Sequence, residues 1–270
     1  MSVSYPIAYK VLLEREYQSK SESLANFLNC DLISQEEIKK SFQENTYLLA
    51  YSEKGLSLCD LSRKKINPVV VDFVSGSANH RRLYGGGKSQ MIAKAVGLKS
   101  NQFFPYVLDA TAGLGGDSFV LASLGCRVTL VERNPIAYSL VKDGLERAMH
   151  SGDHDLIEVV ERMNLVFANS REFIEQIDEE HLPDVIYVDP MFPERKKSAS
   201  VKKEMQFFHD IIGKDEDADS LIKVCREKAK YRVTVKRPKI AEYLGGVSPS
   251  TQIVGKSSRF DIYANKKMPS

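Results

Sequence analysis

The chain has only four cysteines in 270 residues (Cys30, Cys59, Cys126 and Cys225), and no two form a C-x-x-C pair. That removes a redox dithiol and a cysteine-built zinc site. Scattered thiols fit a reducing compartment, and Cys126, leading into an apolar run, reads as core. The five histidines are read as surface or structural residues, so no metal is expected. A G-x-S-x-G elbow is missing too, which leaves a hydrolase triad unsupported. No apolar run reaches the roughly 18–20 residues that span a bilayer. Met1-Ser-Val-Ser-Tyr-Pro has neither the basic start nor the apolar stretch of a secretory signal. A cytoplasmic protein without membrane attachment is therefore expected. Internal repeats and low-complexity segments are absent. The formal net charge of +2 is too small to specify a partner.

What remains is an ordinary globular composition, 43% hydrophobic and 27% charged. Residues 1–100 read as a smaller mixed α+β region that binds or covers substrate. Leu24, Phe27 and Leu28 recur at helical spacing, and Glu53-Lys54-Gly55 joins two apolar runs as a hairpin turn. Residues 101–270 read differently. Apolar strands near Tyr106, Arg127, Leu165, Asp184, Tyr231 and Arg259 alternate with helical segments, the signature of a mostly parallel α/β sheet. Ligands of such sheets bind beyond the carboxyl ends of the strands.

Four strand ends carry the chemistry. The first runs from Asp109 through Gly113, Gly115 and Gly116 to Asp117. Glycines let a ligand approach backbone, and a helix start offers N–H groups. A dinucleotide fingerprint fails here, because Ser118 stands at the third glycine beside acidic Asp117. An acidic strand end suits a cationic cofactor without phosphate, such as S-adenosylmethionine. Glu132 ends the next strand, where an acid accepts ribose hydroxyls. Asn169 and Ser170 follow the third; they suit an adenine edge, or Ser170 simply caps the next helix. The fourth is Asp189-Pro190-Met191-Phe192-Pro193. Amino-methyltransferases carry D/N-P-P-Y/F at this place. An exocyclic amine has its lone pair conjugated into the ring. Asp189 and a carbonyl beside Pro190 can accept its N–H groups and turn the lone pair onto a methyl donor, while Phe192 offers a stacking face. These features point to a Rossmann-like class I methyltransferase fold.

Basic residues gather near this motif. Arg195, Lys196, Lys197, Lys202 and Lys203 follow it, and Lys236 and Arg237 end the fifth strand. Their placement favours contact with a nucleic-acid backbone. Gly85-Gly86-Gly87-Lys88-Ser89 is not a phosphate loop, since Arg82 replaces its first glycine. With His80, Arg81 and Arg82 it reads as an RNA contact, a cover for the site or an interdomain loop.

As an ordered set, Asp109–Gly115 with Asp117, Val131–Pro135, Asp189–Pro193, Lys196–Ala199, Val201–Met205, Val235–Pro238 and Arg259–Tyr263 resemble the bacterial small-subunit ribosomal RNA methyltransferase J family. In that family Asp-Pro-Met-Phe-Pro is the expected form. The resemblance implies methylation of N2 of a guanine in 16S rRNA, within the small subunit or a late assembly intermediate. It implies S-adenosylmethionine contacts at Gly116, Asp117, Glu132, Arg133, Asn169, Ser170 and Asp189. Two rivals stand beside it. A DNA adenine or cytosine amino-methyltransferase would need a larger target-recognition region. A non-catalytic RNA-binding module would not need Asp109, Glu132 and Asp189 together.

Overall fold

In strand β6 (Tyr106–Asp109) the neighbours Val107 and Leu108 are both fully buried. Successive side chains point to opposite faces, so this strand is covered on both sides, as in parallel sheets flanked by helices. The computed structural model describes residues 9–40, 47–61, 67–85, 87–98, 103–190 and 218–269. Phe192, Arg195, Lys196, Lys197, Lys202 and Lys203 lie outside the described residues.

The sheet containing β6 has seven strands in the order β11-β12-β10-β9-β6-β7-β8. Its other members are β7 (Arg127–Glu132), β8 (Met163–Phe167), β9 (Val185–Val188), β10 (Arg232–Pro238), β11 (Thr251–Val254) and β12 (Ser258–Ala264). Strands β6 to β10 run parallel; β12 pairs antiparallel with β10, and β11 with β12. The chain leaves β6 toward β7 and β8, then returns to β9 on the other side. Such a reversal opens a crevice beyond the carboxyl ends of β6 and β9. Asp109, Glu132 and Asp189 all stand at that edge.

A second sheet, β2-β1-β3-β4-β5, is built from Tyr9–Leu12 (β1), Leu32–Ile33 (β2), Tyr47–Ser52 (β3), Gly55–Asp60 (β4) and Val69–Val70 (β5). The expected hairpin is β3–β4, and Gly55 has φ +94. A side chain there would collide with the Arg147 guanidinium. Both sheets share one core: Val11, Leu49, Leu56 and Leu58 cluster with Val107, Phe119, Leu140 and Val141. Phe73 stacks on Phe119 with centroids 4.8 Å apart. Leu108, Ile186, Val188, Val233 and Val235 pack on the opposite face of the large sheet with Leu221, Ile222 and Cys225.

Helices complete the layers: α1 (Gln18–Leu28), α2 (Gln35–Lys40), α3 (Ser77–Tyr84), α4 (Met91–Ala95), α5 (Gly116–Ser123), α6 (Pro135–Met149), α7 (His154–Glu161), α8 (Ser170–Glu175) and α9 (Ala218–Lys228). The segment of His80–Arg82 is thus helical, not a loop. Although α4 precedes residue 100, it lies on the large sheet, where Thr234 Oγ1 donates to the Ala95 carbonyl at 3.0 Å. The two units are pinned by Asp143 of α6, 4% exposed, whose Oδ2 accepts Leu56 N–H at 2.9 Å and Arg147 Nε at 2.8 Å. Arg147 also donates to the Val71 carbonyl. Among the described residues no helix is long and apolar enough to cross a membrane.

Candidate active site

The glycine turn after β6 is shaped by Asp109, which is 2% exposed. Its Oδ1 accepts Thr111 N–H at 3.0 Å and its Oδ2 accepts the Ser118 hydroxyl at 2.5 Å. Burial pushes this carboxyl up to about 7, helped by the charges of Asp117 and Asp189 and opposed by the two hydrogen bonds. Ser118 therefore does more than displace a third glycine: it anchors α5 to the end of β6. Gly113 (φ +54) and Gly115 (φ +72) take left-handed backbone that other residues resist. Among the described residues no atom would lie within 4 Å of a Cβ on Gly116, so none of them fills the space beside the turn. Gly113 N–H donates to Glu132 Oε2 at 2.8 Å, and Asn134 N–H to Oε1 at 2.6 Å. Glu132 thereby ties the β6 turn to the end of β7, and Arg133 follows it directly.

Asp117, one residue into α5, is the hub of a polar cluster. Its Oδ1 accepts Arg81 Nη1 at 2.7 Å; its Oδ2 accepts the Tyr187 hydroxyl at 2.7 Å and Lys236 Nζ at 2.8 Å. Burial alone would raise its pKa, but the Lys236 charge and the three donors outweigh burial and hold it down at about 2. Lys236 Nζ also donates to Asp189 Oδ2 at 2.7 Å. Asp189 N–H donates to Thr111 Oγ1 at 2.6 Å, which fixes the turn after β9 against the turn after β6. Pro190 beside it is buried.

The remaining expected residues divide. Asn169, rather than Ser170, caps α8: its Oδ1 accepts Arg171 and Glu172 N–H at 3.0 and 3.3 Å. Ser170 instead donates to the Ala110 carbonyl at 2.5 Å, locking β8's end to the β6 turn. Arg237 departs from its expected place on a nucleic-acid surface. It lies on the opposite face from Lys236 because side chains alternate along β10. It is 5% exposed and donates to the Glu242 carbonyl, so it braces the segment after the strand. Lys236 bridges two carboxylates, Asp117 and Asp189. Arg81 is turned onto Asp117 and Gln90. Arg82 pairs with Asp153 at 3.3 Å and reaches Asn79, while the exposed His80 ring lies 4.8 Å from Tyr84.

Sequence reading missed Thr111 and Tyr187. The signal for Tyr187 was strand alternation, which sets Tyr187 and Asp189 on one face; Thr111, in a turn, had no periodic signal. The assembled crevice carries Asp117 and Asp189 at its edge around a glycine turn, with Asp109 and Glu132 buried behind them. That fits a cationic ligand with hydroxyl groups. The space beside Gly116, which no described residue fills, and the buried, doubly bonded Glu132 match S-adenosylmethionine, whose ammonium and sulfonium are positive and whose ribose needs an acceptor. Among the described residues no three His, Cys, Asp or Glu side chains converge as metal ligands.

Comparison with known proteins agrees with this geometry. A family model described as "Putative SAM-dependent methyltransferase" matches residues 31–265. The chain is 51% identical over 236 residues to a ribosomal RNA small subunit methyltransferase J from Cellvibrio japonicus, covering 86% of this chain and 88% of the relative. It is 45% identical over 269 residues to the protein of that name from Pseudomonas fluorescens, covering 98% and 99%. Among solved structures, a SAM-dependent methyltransferase from Neisseria gonorrhoeae superposes with a TM-score of 0.70 at 35% identity, covering 95% of this chain and 96% of the other.

Proposed function

The chain belongs to the ribosomal RNA small subunit methyltransferase J family, among the SAM-dependent methyltransferases, and from that premise we propose that it methylates N2 of a guanine in 16S rRNA, in the cytoplasm. The observation that supports an amine acceptor is the seating of Asp189. Thr111 holds its backbone, and its carboxylate stands at the crevice beside the glycine turn.

S-adenosylmethionine supplies an electrophilic methyl group when bound. Glu132 accepts ribose hydroxyls; a carboxylate oxygen takes more than one donor, so its bonds to Gly113 and Asn134 persist. The amides around Gly113, Gly115 and Gly116, together with Asp117, Arg133, Asn169, Ser170 and Asp189, complete the cofactor's surroundings. Asp189 and the carbonyl beside Pro190 accept the N–H groups of the guanine amine and orient its lone pair. Asp189 need not be a strong base, since the amine sheds a proton to solvent once methylated. Its work is orientation and support of developing positive charge. Phe192 stacks on the base. Residues 1–100 cover the site or engage the substrate.

Methyl-labelled cofactor offered with 16S rRNA, small subunits, late assembly intermediates or DNA tests this reading. The expected product is N2-methylguanosine in 16S rRNA, identified by mass spectrometry. Label in DNA, or none in any acceptor, would overturn it. Arg195, Lys196, Lys197, Lys202 and Lys203 are assigned to the RNA backbone. Neutralising Lys196 and Lys197 should raise KM for RNA and lower the salt dependence of binding by about one to two in log–log slope. Cofactor affinity should stay unchanged; an unaltered slope removes these residues from the interface.

A further inference from the structure

The proposed chemistry leaves the Lys236 ammonium without a role. Register explains why it is where it is. Val235 pairs with Val188 across the parallel β10–β9 ladder, so Lys236 stands beside Asp189. Thr234 pairs with Tyr187, and Asp109 with Tyr187 from the other side. Asp109, Tyr187, Asp189 and Lys236 therefore share the face that α5 covers, and α5 adds Asp117 to them. Lys236 Nζ is 2.8 Å from Asp117 Oδ2 and 2.7 Å from Asp189 Oδ2.

We propose that Lys236 is a positioning residue: its ammonium ties the acid of the cofactor turn, Asp117, to the acid that receives the target amine, Asp189, and so keeps Asp189 ionised and in one orientation. This rests on the amine-methylation reading above.

Among the described residues, the groups around Lys236 are Asp117 from α5, Asp189 and Tyr187 from β9 and its turn, Arg81 from α3 through Asp117, and Asp109 from β6. Among the described residues, three carboxylates crowd this crevice edge against two cations. Without Lys236, Asp117 and Asp189 repel each other, and protonating one of them relieves the repulsion. A protonated or swung Asp189 is a poorer acceptor for an amine N–H. Burial would make the lysine easier to deprotonate, but its two carboxylate partners outweigh burial and it keeps its proton. It is thus a donor, not a base. Its charge also weakens the pull of Asp189 on a developing cation, so what it contributes is geometry and ionisation state rather than attraction. A lysine that served only RNA phosphate would extend its head into water. This one is 31% exposed and has both carboxylates at hydrogen-bond distance.

Lys236→Met, Lys236→Gln and Lys236→Arg test the assignment. In single-turnover methylation of rRNA across pH 5–9, the Met protein should lose about tenfold or more in rate. Its acid limb should move up by about one pH unit, while KM for RNA and its salt dependence stay the same. Arg should restore part of the rate and return the acid limb. A second readout needs neither cofactor nor RNA. Carboxyl carbon NMR should find Asp117 titrating at about 2 in the wild-type protein and clearly higher without the lysine charge. If the Met protein does not fold, Gln is read in the same way. A Met or Gln protein with normal rate and acid limb but raised KM for RNA would make Lys236 a phosphate contact and overturn the proposal. An Asp117 titration that ignores the substitution would also overturn it. A wild-type protein that methylates no rRNA refutes the reaction reading instead, and the NMR titration still decides the lysine tie.

Discussion

Asp189 and Asp109 are both carboxylates at strand ends, yet their surroundings give them opposite tasks. Asp189 sits half-buried beside a lysine; Asp109 is sealed under Ser118 and Thr111. Asp189→Ala should cut kcat by about a hundredfold or more, the scale for losing one aligned polar group. Asp189→Asn, which keeps one acceptor oxygen, should retain more activity than Ala. Near-normal single-turnover methyl transfer by the Ala protein would sink the proposed role of Asp189. Asp109 gives a stability signature instead. Its folded value, about 7, lies above the unfolded value of about 3.9. Its contribution is therefore complete below about pH 4 and is lost as pH rises through about 7. Asp109→Asn keeps the acceptor oxygen and cannot ionise. Measured by denaturant midpoint, the Asn protein should gain on the wild type between about pH 4 and 7, by a few kcal/mol at most. A constant difference across that range would show that Asp109 is not buried as an acid. Both aspartates were legible in the sequence because each ends an apolar run. The partner of Asp109 was legible only as an obstacle: Ser118 spoiled a dinucleotide motif, and nothing local said that its hydroxyl would turn back to β6.

At the scale of elements, the parallel strands were readable and the short connectors were not. Strands β6, β7, β9 and β10 announce themselves as apolar runs ending in Asp, Glu, Asp and Lys. Helix α7 went unread although Asp153 caps it and Leu156, Val159 and Val160 form its buried stripe. Its eight residues give barely two turns of pattern. Strand β11 also escaped, because its four residues are mostly exposed and carry little apolar signal. Arg237 was misread, since its adjacency to Lys236 in sequence hides opposite facing in a strand. At α8 the cap makes a clean prediction. Asn169→Ala should destabilise the protein by about 1 kcal/mol, and Asn169→Ser should recover most of it. Calorimetric binding of S-adenosylhomocysteine separates capping from contact: a cap alone leaves affinity unchanged, whereas an adenine contact weakens it in both variants.

For the whole molecule, the sequence boundary near residue 100 marked a change of pattern but not a gap in packing. Helix α4 lies on the large sheet, and Arg81 of α3 reaches Asp117 of α5. The shared core and the Asp143–Leu56 bond join parts of the chain 87 positions apart. A fragment starting at residue 101 would expose Phe119, Leu140 and Val141 and leave Asp117 without Arg81. We expect it to be insoluble or molten, with weak near-ultraviolet circular dichroism; a well-folded, cofactor-binding fragment would refute this. The same bond sets a schedule for synthesis. The ribosome releases β4 long before Asp143 and Arg147, so the first sheet waits with one apolar face uncovered until α6 emerges. For that interval the nascent chain is a client for holding factors, and translation speed across residues 61–147 becomes a determinant of yield.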